Sequence, residues 1–441
     1  MTSISKFFVK ICTALAILLL IFSAVYFSTS GAIKYASAET VQPPDEYPPR
    51  PQPREEGVPY NGKEKGNESD EVKNSAGIKI DTSSIADFEK INNNCKAYYL
   101  IEPITGTVIA SNNENERLKI ASMVKIMSAL LVFEEIKAGR LSYDTDIVIS
   151  ENASKMGGSQ IFLDTNSVHK ADALLKSVIV ASANDSCVAL AEHVAGSESA
   201  FVDKMNAKAK ELGMNDTLFD NCTGLPTENQ YSSAKDVSVM FRKLLQNDKY
   251  FDFCKVWLED YTHPDGRKTC MTNTNKLIRF YKGCDAGKTG YTKEAMHCLS
   301  ATANRNNMRV VAVVIGANGS KERFSDVSSM FNYAFANYKN AVVKNKDEVV
   351  ANVKVVGGRE KDIDLVAKQP ITVFSKANEK PVYKTEIEQL SLKAPIKKGD
   401  VLAKVKITDK NNNVSYFELT AIKDIEKATY LDSVDDIFGN W

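Results

Sequence analysis

Net charge is missing from this chain: 56 lysines and arginines stand against 56 aspartates and glutamates, a formal balance of zero. Without a basic excess, nothing in the composition points to nucleic acid as a partner. Histidine is scarce, and His169, His193, His263 and His297 form neither an H-E-x-x-H pair nor a dense cluster with carboxylates. No metal and no other cofactor is expected on that pattern. A G-x-S-x-G elbow is also missing, which argues against a Ser-His-Asp hydrolase. The eight cysteines include no C-x-x-C, so the spacing encodes neither a zinc ribbon nor a redox motif. At 441 residues the chain is too long for a small disulfide scaffold, and its length suggests about two or three domains.

What is present begins with a long apolar run. Lys6 and Lys10 precede Ile11 to Phe27, and Ala36-Ser37-Ala38 follows at the spacing of a leader-peptidase site. Residues 1–38 read as a signal peptide, with cleavage expected after Ala38 and an extracytoplasmic destination. The 17-residue run is also close to the minimum for a membrane span, so an uncleaved N-terminal anchor is the alternative. Residues 39–76 are rich in Pro, Glu, Lys, Asn and Gly and read as a disordered spacer. Cys12 falls in the leader, and the remaining seven cysteines, scattered singly, are expected mostly as buried free thiols.

Two regions follow. Residues 77–337 mix strands and helices: a hairpin of Ala97 to Ile101 with Val108 to Ser111 comes first. A helical block from Ser122 to about Asn247 is next, with helices at Ala171 to Val180, Val188 to Val194 and Phe201 to Leu212. Strands return at Cys298 to Thr302 and Val310 to Gly316, before a last helix from Phe324 to Tyr338. That order fits an α/β (α+β) sandwich whose sheet is covered by the last helix. Residues 341–431 read as short strands broken by Gly and Asn turns, a small all-β domain, and residues 432–441 are a short acidic tail.

Three segments carry chemistry. Ser122-Met123-Val124-Lys125 opens a predicted helix, and a spacing of three puts a hydroxyl and an amine on one face. Ser182-Ala183-Asn184 sits where one helix breaks before the next, offering a hydroxyl for proton relay and an amide for hydrogen bonding. Lys288-Thr289-Gly290, read as the start of a strand, offers a cation, a hydroxyl and close backbone access for a carboxylate. Each alone is weak, because Ser and Asn cap helices widely. In order, S-x-x-K, S-x-N and K-T-G form the set of active-site serine penicillin-binding proteins and class A β-lactamases.

With Met156-Gly157-Gly158-Ser159-Gln160, Asn221-Cys222-Thr223-Gly224-Leu225 and Tyr291-Thr292 added, the chain resembles the low-molecular-mass D-alanyl-D-alanine carboxypeptidases, serine peptidase family S11. The resemblance implies a serine β-lactamase/transpeptidase-like sandwich with a helical subdomain, followed by the family's β-rich domain around Ala394 to Asp400. It implies Ser122 as nucleophile, Lys125 as its base and Ser182 as relay to the leaving amine. Asn184 would hold the substrate amide, with Lys288, Thr289 and Gly290 at the terminal carboxylate. The backbone N–H groups of Ser122 and Tyr291 would form the oxyanion hole. The implied substrate is a peptidoglycan stem pentapeptide ending in D-Ala-D-Ala, with β-lactams as inhibitors. Many relatives end in a basic amphipathic helix; the acidic tail does not match it, so membrane contact is expected only through an uncleaved N-terminal segment. A class A-like β-lactamase, with Glu211 as the candidate deacylation carboxylate, and a penicillin-binding sensor or scaffold without turnover are the competing readings. Glu211 reads as a solvated helix-end residue, with Gly213 as the cap.

Overall fold

The computed structural model describes residues 72–73, 79–80, 94–389 and 392–429. The expected leader, the acidic tail and all of the spacer but Val72 and Lys73 lie outside these residues. Among the described residues, no helix is long and apolar enough to cross a membrane.

Strand β1 (Ala97–Ile101) pairs with β2 (Val108–Asn112) through a turn in which Gly106 takes a φ of +78°. The helical block follows: α1 (Lys125–Lys137), α2 (Ala171–Val180), α3 (Asn184–Ala195), α4 (Glu198–Glu211) and α5 (Ala234–Leu244). Strands β3 (Cys284–Thr292), β4 (Met296–Arg305) and β5 (Met308–Ala317) then complete an antiparallel sheet of order β2-β1-β5-β4-β3. Helix α6 (Ser320–Asn337) covers one face of it.

Both faces of this sheet are buried, and alternate residues face different cores. Tyr99, Ile101, Val311 and Val313 join the helical block, while Leu100, Ala312 and Val314 pack with Phe324, Val327, Met330 and Phe331 of α6. A strand buried on two sides is apolar throughout and loses its alternation, which makes its bounds hard to read from sequence. Two elements escaped the sequence reading. Lys288 stands in the middle of the nine-residue β3, not at the start of a strand. A hairpin, Leu258–Thr262 with Lys268–Thr272, occupies a stretch that shows no clear period.

After α6 the chain passes directly into β6 (Tyr338–Lys344), where sequence placed the end of a helix and a gap. Then come β7 (Val349–Lys354), β8 (Asp362–Ala367), β9 (Ile371–Lys376), β10 (Tyr383–Gln389), β11 (Val401–Asp409) and β12 (Val414–Ala421). A five-stranded antiparallel sheet of order β7-β8-β12-β11-β10 faces the pair β6-β9 over a core of Ile363, Leu365, Val373, Val405, Phe417 and Leu419. Phe374 of β9 leaves that core and packs behind α6, stacked on Tyr338 with ring centroids 5.1 Å apart.

Candidate active site

Ser122 lies in a 3-10 turn, Ala121–Val124, and α1 begins only at Lys125. Sequence put both residues on one α-helix; the tighter turn instead lifts the serine out of the helix while keeping the amine beneath it. Ala121 takes a φ of +47°, a strained value for a residue with a Cβ. The strain persists because two glycines press on the turn. A Cβ on Gly224, whose own φ is +84°, would sit 2.1 Å from the Ala121 carbonyl oxygen. One on Gly290 of β3 would sit 2.5 Å from the Ile120 carbonyl oxygen. This close approach brings the Gly290-Tyr291 segment against the turn that carries the Ser122 N–H.

Lys125 is 1% exposed, and its Nζ donates to Ser122 Oγ at 3.2 Å, Asn184 Oδ1 at 2.5 Å and the Thr223 carbonyl at 2.6 Å. Three oxygen acceptors hold the ammonium in place, yet burial still keeps it below its ordinary range.

Helix α2 ends at Ala181, and Ser182 turns the chain with a φ of +63° before α3 starts at Asn184. Ala183 is extended, so this position makes no demand for glycine. Asn184 is fastened to the 156–163 loop on two sides: its backbone N–H donates to Ser159 O and its Nδ2 to Gly157 O, both at 2.7 Å. Asp185, fully buried, accepts from the Ile161, Leu163 and Ser186 N–H groups, which pins the loop to α3. Burial raises the Asp185 carboxyl while these N–H groups pull it down, and the first effect is the larger.

From the opposite wall, Lys288 Nζ donates to Ser182 Oγ at 2.8 Å and to the Thr289 carbonyl at 3.0 Å. Burial, then repulsion from Lys125 and Arg323, pushes the Lys288 ammonium well below its usual range. The fold therefore brings two hydrogen-bonded sets together, Ser122 and Asn184 on Lys125 and Ser182 on Lys288, with Thr289 and Gly290 beside them. It holds two amines that repel each other and disfavour double protonation.

Sequence reasoning gave no role to Thr223, whose carbonyl anchors Lys125, or to Asp185. It also passed over Arg323, whose Nη1 donates to Gly290 O at 3.1 Å and Cys298 O at 3.3 Å. Arg323 is buried, with its Nε unpartnered and no ion pair among the described residues. No local spacing betrays a residue that reaches the site from behind the sheet. His297, which belongs to no motif, stands opposite Tyr291 and stacks on it with ring centroids 4.4 Å apart. His193 is exposed, and His169 and His263 pack around the hairpin instead. Glu211 is solvated at the end of α4, where it pairs with Lys208 at 2.7 Å, and Gly213 follows with a φ of +73°.

The chain is similar to known proteins. The family model described as D-alanyl-D-alanine carboxypeptidase matches residues 84–319, more than half of the chain, and the penicillin-binding protein 5 C-terminal domain matches residues 338–427. D-alanyl-D-alanine carboxypeptidase DacF of Bacillus subtilis is 40% identical, covering 78% of this chain and 90% of the relative. The structure of a peptidoglycan synthesis regulatory factor (PBP3) from Streptococcus pneumoniae superposes with a TM-score of 0.62 at 26% identity, covering 75% of this chain and 99% of that one. Penicillin-binding protein 5 from Haemophilus influenzae gives 0.58 at 26%, covering 76% and 98%. The chain belongs to the D-alanyl-D-alanine carboxypeptidase family.

Proposed function

We propose that this protein is a serine-type D-Ala-D-Ala carboxypeptidase that removes the terminal D-alanine from peptidoglycan pentapeptides through an acyl-enzyme on Ser122. The observation that carries the reading is the contact of Lys125 Nζ with Ser122 Oγ at 3.2 Å, made by an amine whose charge burial disfavours. A neutral Lys125 takes the hydroxyl proton as Oγ attacks the carbonyl of the penultimate D-Ala. The N–H groups of Ser122 and Tyr291 receive the developing oxyanion. Ser182 accepts from Lys288, which leaves its own proton free to pass to the leaving amine. Asn184 holds the substrate amide, and water then hydrolyses the ester.

The terminal carboxylate is met by Lys288, Thr289 and Gly290, with Arg323 adding positive potential from behind β3. Arrival of that carboxylate offsets the desolvation of Lys288 and restores its charge, which in turn favours the neutral form of Lys125. One binding event thereby selects a free C-terminus and prepares the base. β-Lactams, as mimics of acyl-D-Ala-D-Ala, acylate Ser122 in the same way. Glu211 faces solvent and pairs with Lys208, which leaves the β-lactamase reading without its deacylation carboxylate.

The organisation that goes with this reading is a leader of residues 1–38, a spacer of 39–76, a catalytic domain of 77–337, a β-rich domain of 341–431 and an acidic tail of 432–441. The enzyme works outside the cytoplasm, at the outer face of the membrane, in the wall or secreted. The test is D-alanine release from a peptide ending in D-Ala-D-Ala, with Ser122→Ala alongside. Release by the wild type, lost by about 10⁴-fold or more in the variant, is the expected outcome. Penicillin acylation without release by the wild type would favour a sensor instead.

A further inference from the structure

Two thiols lie against the machinery without a part in it. Cys187 sits one turn along α3 from Asn184, and Cys222 immediately precedes Thr223, so the pair flanks both fixed acceptors of Lys125. They are 35 residues apart in sequence, and only the fold brings them together. Cys187 is 2% exposed and Cys222 0%, and both are reduced. The Cys187 thiol donates to the Cys222 carbonyl at 3.2 Å, which sets it against the Cys222 residue. On its other side Cys222 donates its N–H and its thiol to Glu198 Oε1, at 3.1 and 3.2 Å. Ser128, one turn along α1 from Lys125, donates to the Cys222 carbonyl at 2.6 Å.

The environment divides the pair unequally. The Cys222 hydrogen bond and the Lys125 charge lower the Cys187 thiol, whereas Cys222, facing Cys187 and the Glu198 carboxylate, is raised. A thiol lowered beside a thiol raised is the layout of an attacking and a resolving cysteine.

We propose that Cys187 and Cys222 form a reversible disulfide that switches the active site off. With a peroxide as oxidant, the Cys187 thiolate attacks one peroxide oxygen, and the O–O bond breaks to give a sulfenic acid and, after protonation, water. The Cys222 thiol then attacks the sulfenic sulfur, the S–O bond breaks, and a second water leaves. Overall, two thiols and one hydrogen peroxide become one disulfide and two waters.

Closure of the bond moves atoms that the site cannot spare. A disulfide ties the Cys222 backbone to α3 through fixed Cβ positions, and the 222–224 segment moves with it. That segment has little slack: Gly224 packs so closely that a Cβ on it would lie 2.1 Å from the Ala121 carbonyl oxygen and 2.8 Å from the Ser122 nitrogen. A shift there displaces the Thr223 carbonyl from Lys125 and the oxyanion donor from its place. A misplacement of about 1 Å suffices to cost 10²-fold in rate.

The inference rests on Lys125 and Ser122 serving as base and nucleophile, so its test reads the bond and the rate separately. The protein is treated with hydrogen peroxide, then examined by peptide mass mapping under non-reducing conditions and by D-alanine release. The expected result is a linked peptide joining Cys187 to Cys222, a loss of release of at least about tenfold, and recovery with dithiothreitol. Cys222→Ser, which keeps a hydrogen-bonding group, should retain release and resist peroxide, as should Cys187→Ala. Absence of the linked peptide overturns the proposal, as does a linked protein of undiminished rate or equal inactivation of Cys222→Ser. If the wild type releases no D-alanine before treatment while the linked peptide still forms, the fault lies in the functional reading and the coupling of disulfide to catalysis is refuted with it.

Discussion

Residues 94–337 and 338–429 bury their surfaces in opposite ways. The first region encloses Lys125, Asp185, Lys288, Arg323 and Asp326, all charged or titratable and nearly inaccessible. Among the described residues of the second, the buried polar side chains are Thr372, Ser415 and Thr420, none of them ionisable. Backbone strain divides likewise. Among the described non-glycine residues, Ala121, Phe162, Ser182 and Met296 of the first region take left-handed φ values, where a side chain makes that conformation costly; in the second only Asp347 and Asn412 do, residue types that tolerate it. Desolvated charge and strained backbone both oppose folding, so their concentration around one cleft marks where folding energy is given up for chemistry. The β-rich region, with an aliphatic core and ordinary turns, reads as a module optimised for stability.

The comparison breaks hardest at Lys125. A Lys125→Met variant keeps the volume and removes the base, and D-alanine release should fall by about 10²–10⁴-fold with the fold retained. In the wild type the base must be neutral, so kcat/KM should climb with pH through an ionisation below 10.5, because burial lowers this amine from that value. The same ionisation should be missing from the residual activity of the variant. A climb centred at or above 10.5 would mean that Lys125 is not the group that titrates.

Sequence reading went furthest where chemistry is written in short spacings. S-x-x-K, S-x-N and K-T-G are local strings, and α1 to α3 and the hairpin β1-β2 follow a clear period or a clear turn. It failed where the signal is tertiary. Strand β3 carries Gly287 and Gly290 inside it, where they serve close approach, and they hide that the strand already runs from Cys284. The 3-10 turn at Ser122 depends on Gly224 pressing from 102 residues away (224 − 122). Arg323 reads as one more cation on a helix until the sheet places its guanidinium behind Gly290.

The second region should respond to substitution in a way that leaves catalysis alone. Leu419 is fully buried in the centre of the β-rich core. Leu419→Ala leaves a cavity and should cost about 2–5 kcal/mol of that region's stability. Release of D-alanine at a temperature where the variant remains folded should match the wild type. Calorimetry and a rate assay on one preparation would show both, and a rate loss at intact fold would mean that the β-rich region shapes the cleft.

The smallest effect expected is electrostatic and tests whether buried charge really burdens the first region. Asp326 of α6 is 3% exposed, and one carboxylate oxygen has no partner. Burial pushes its pKa from 3.8 up to about 6, helped by the Glu322 charge and opposed by a hydrogen bond from Asn94. Between those values the folded state holds a proton that the unfolded chain has released. Stability from this group is therefore full below pH 3.8 and declines as pH rises through the window to about 6. Asp326→Asn removes the ionisation while keeping the shape. The melting temperature of the wild type relative to this variant should fall as pH rises across that window, and then run parallel to it at higher pH. Parallel curves throughout would place a water or a cation on Asp326, and the contrast between the two regions would then rest on the cleft residues alone.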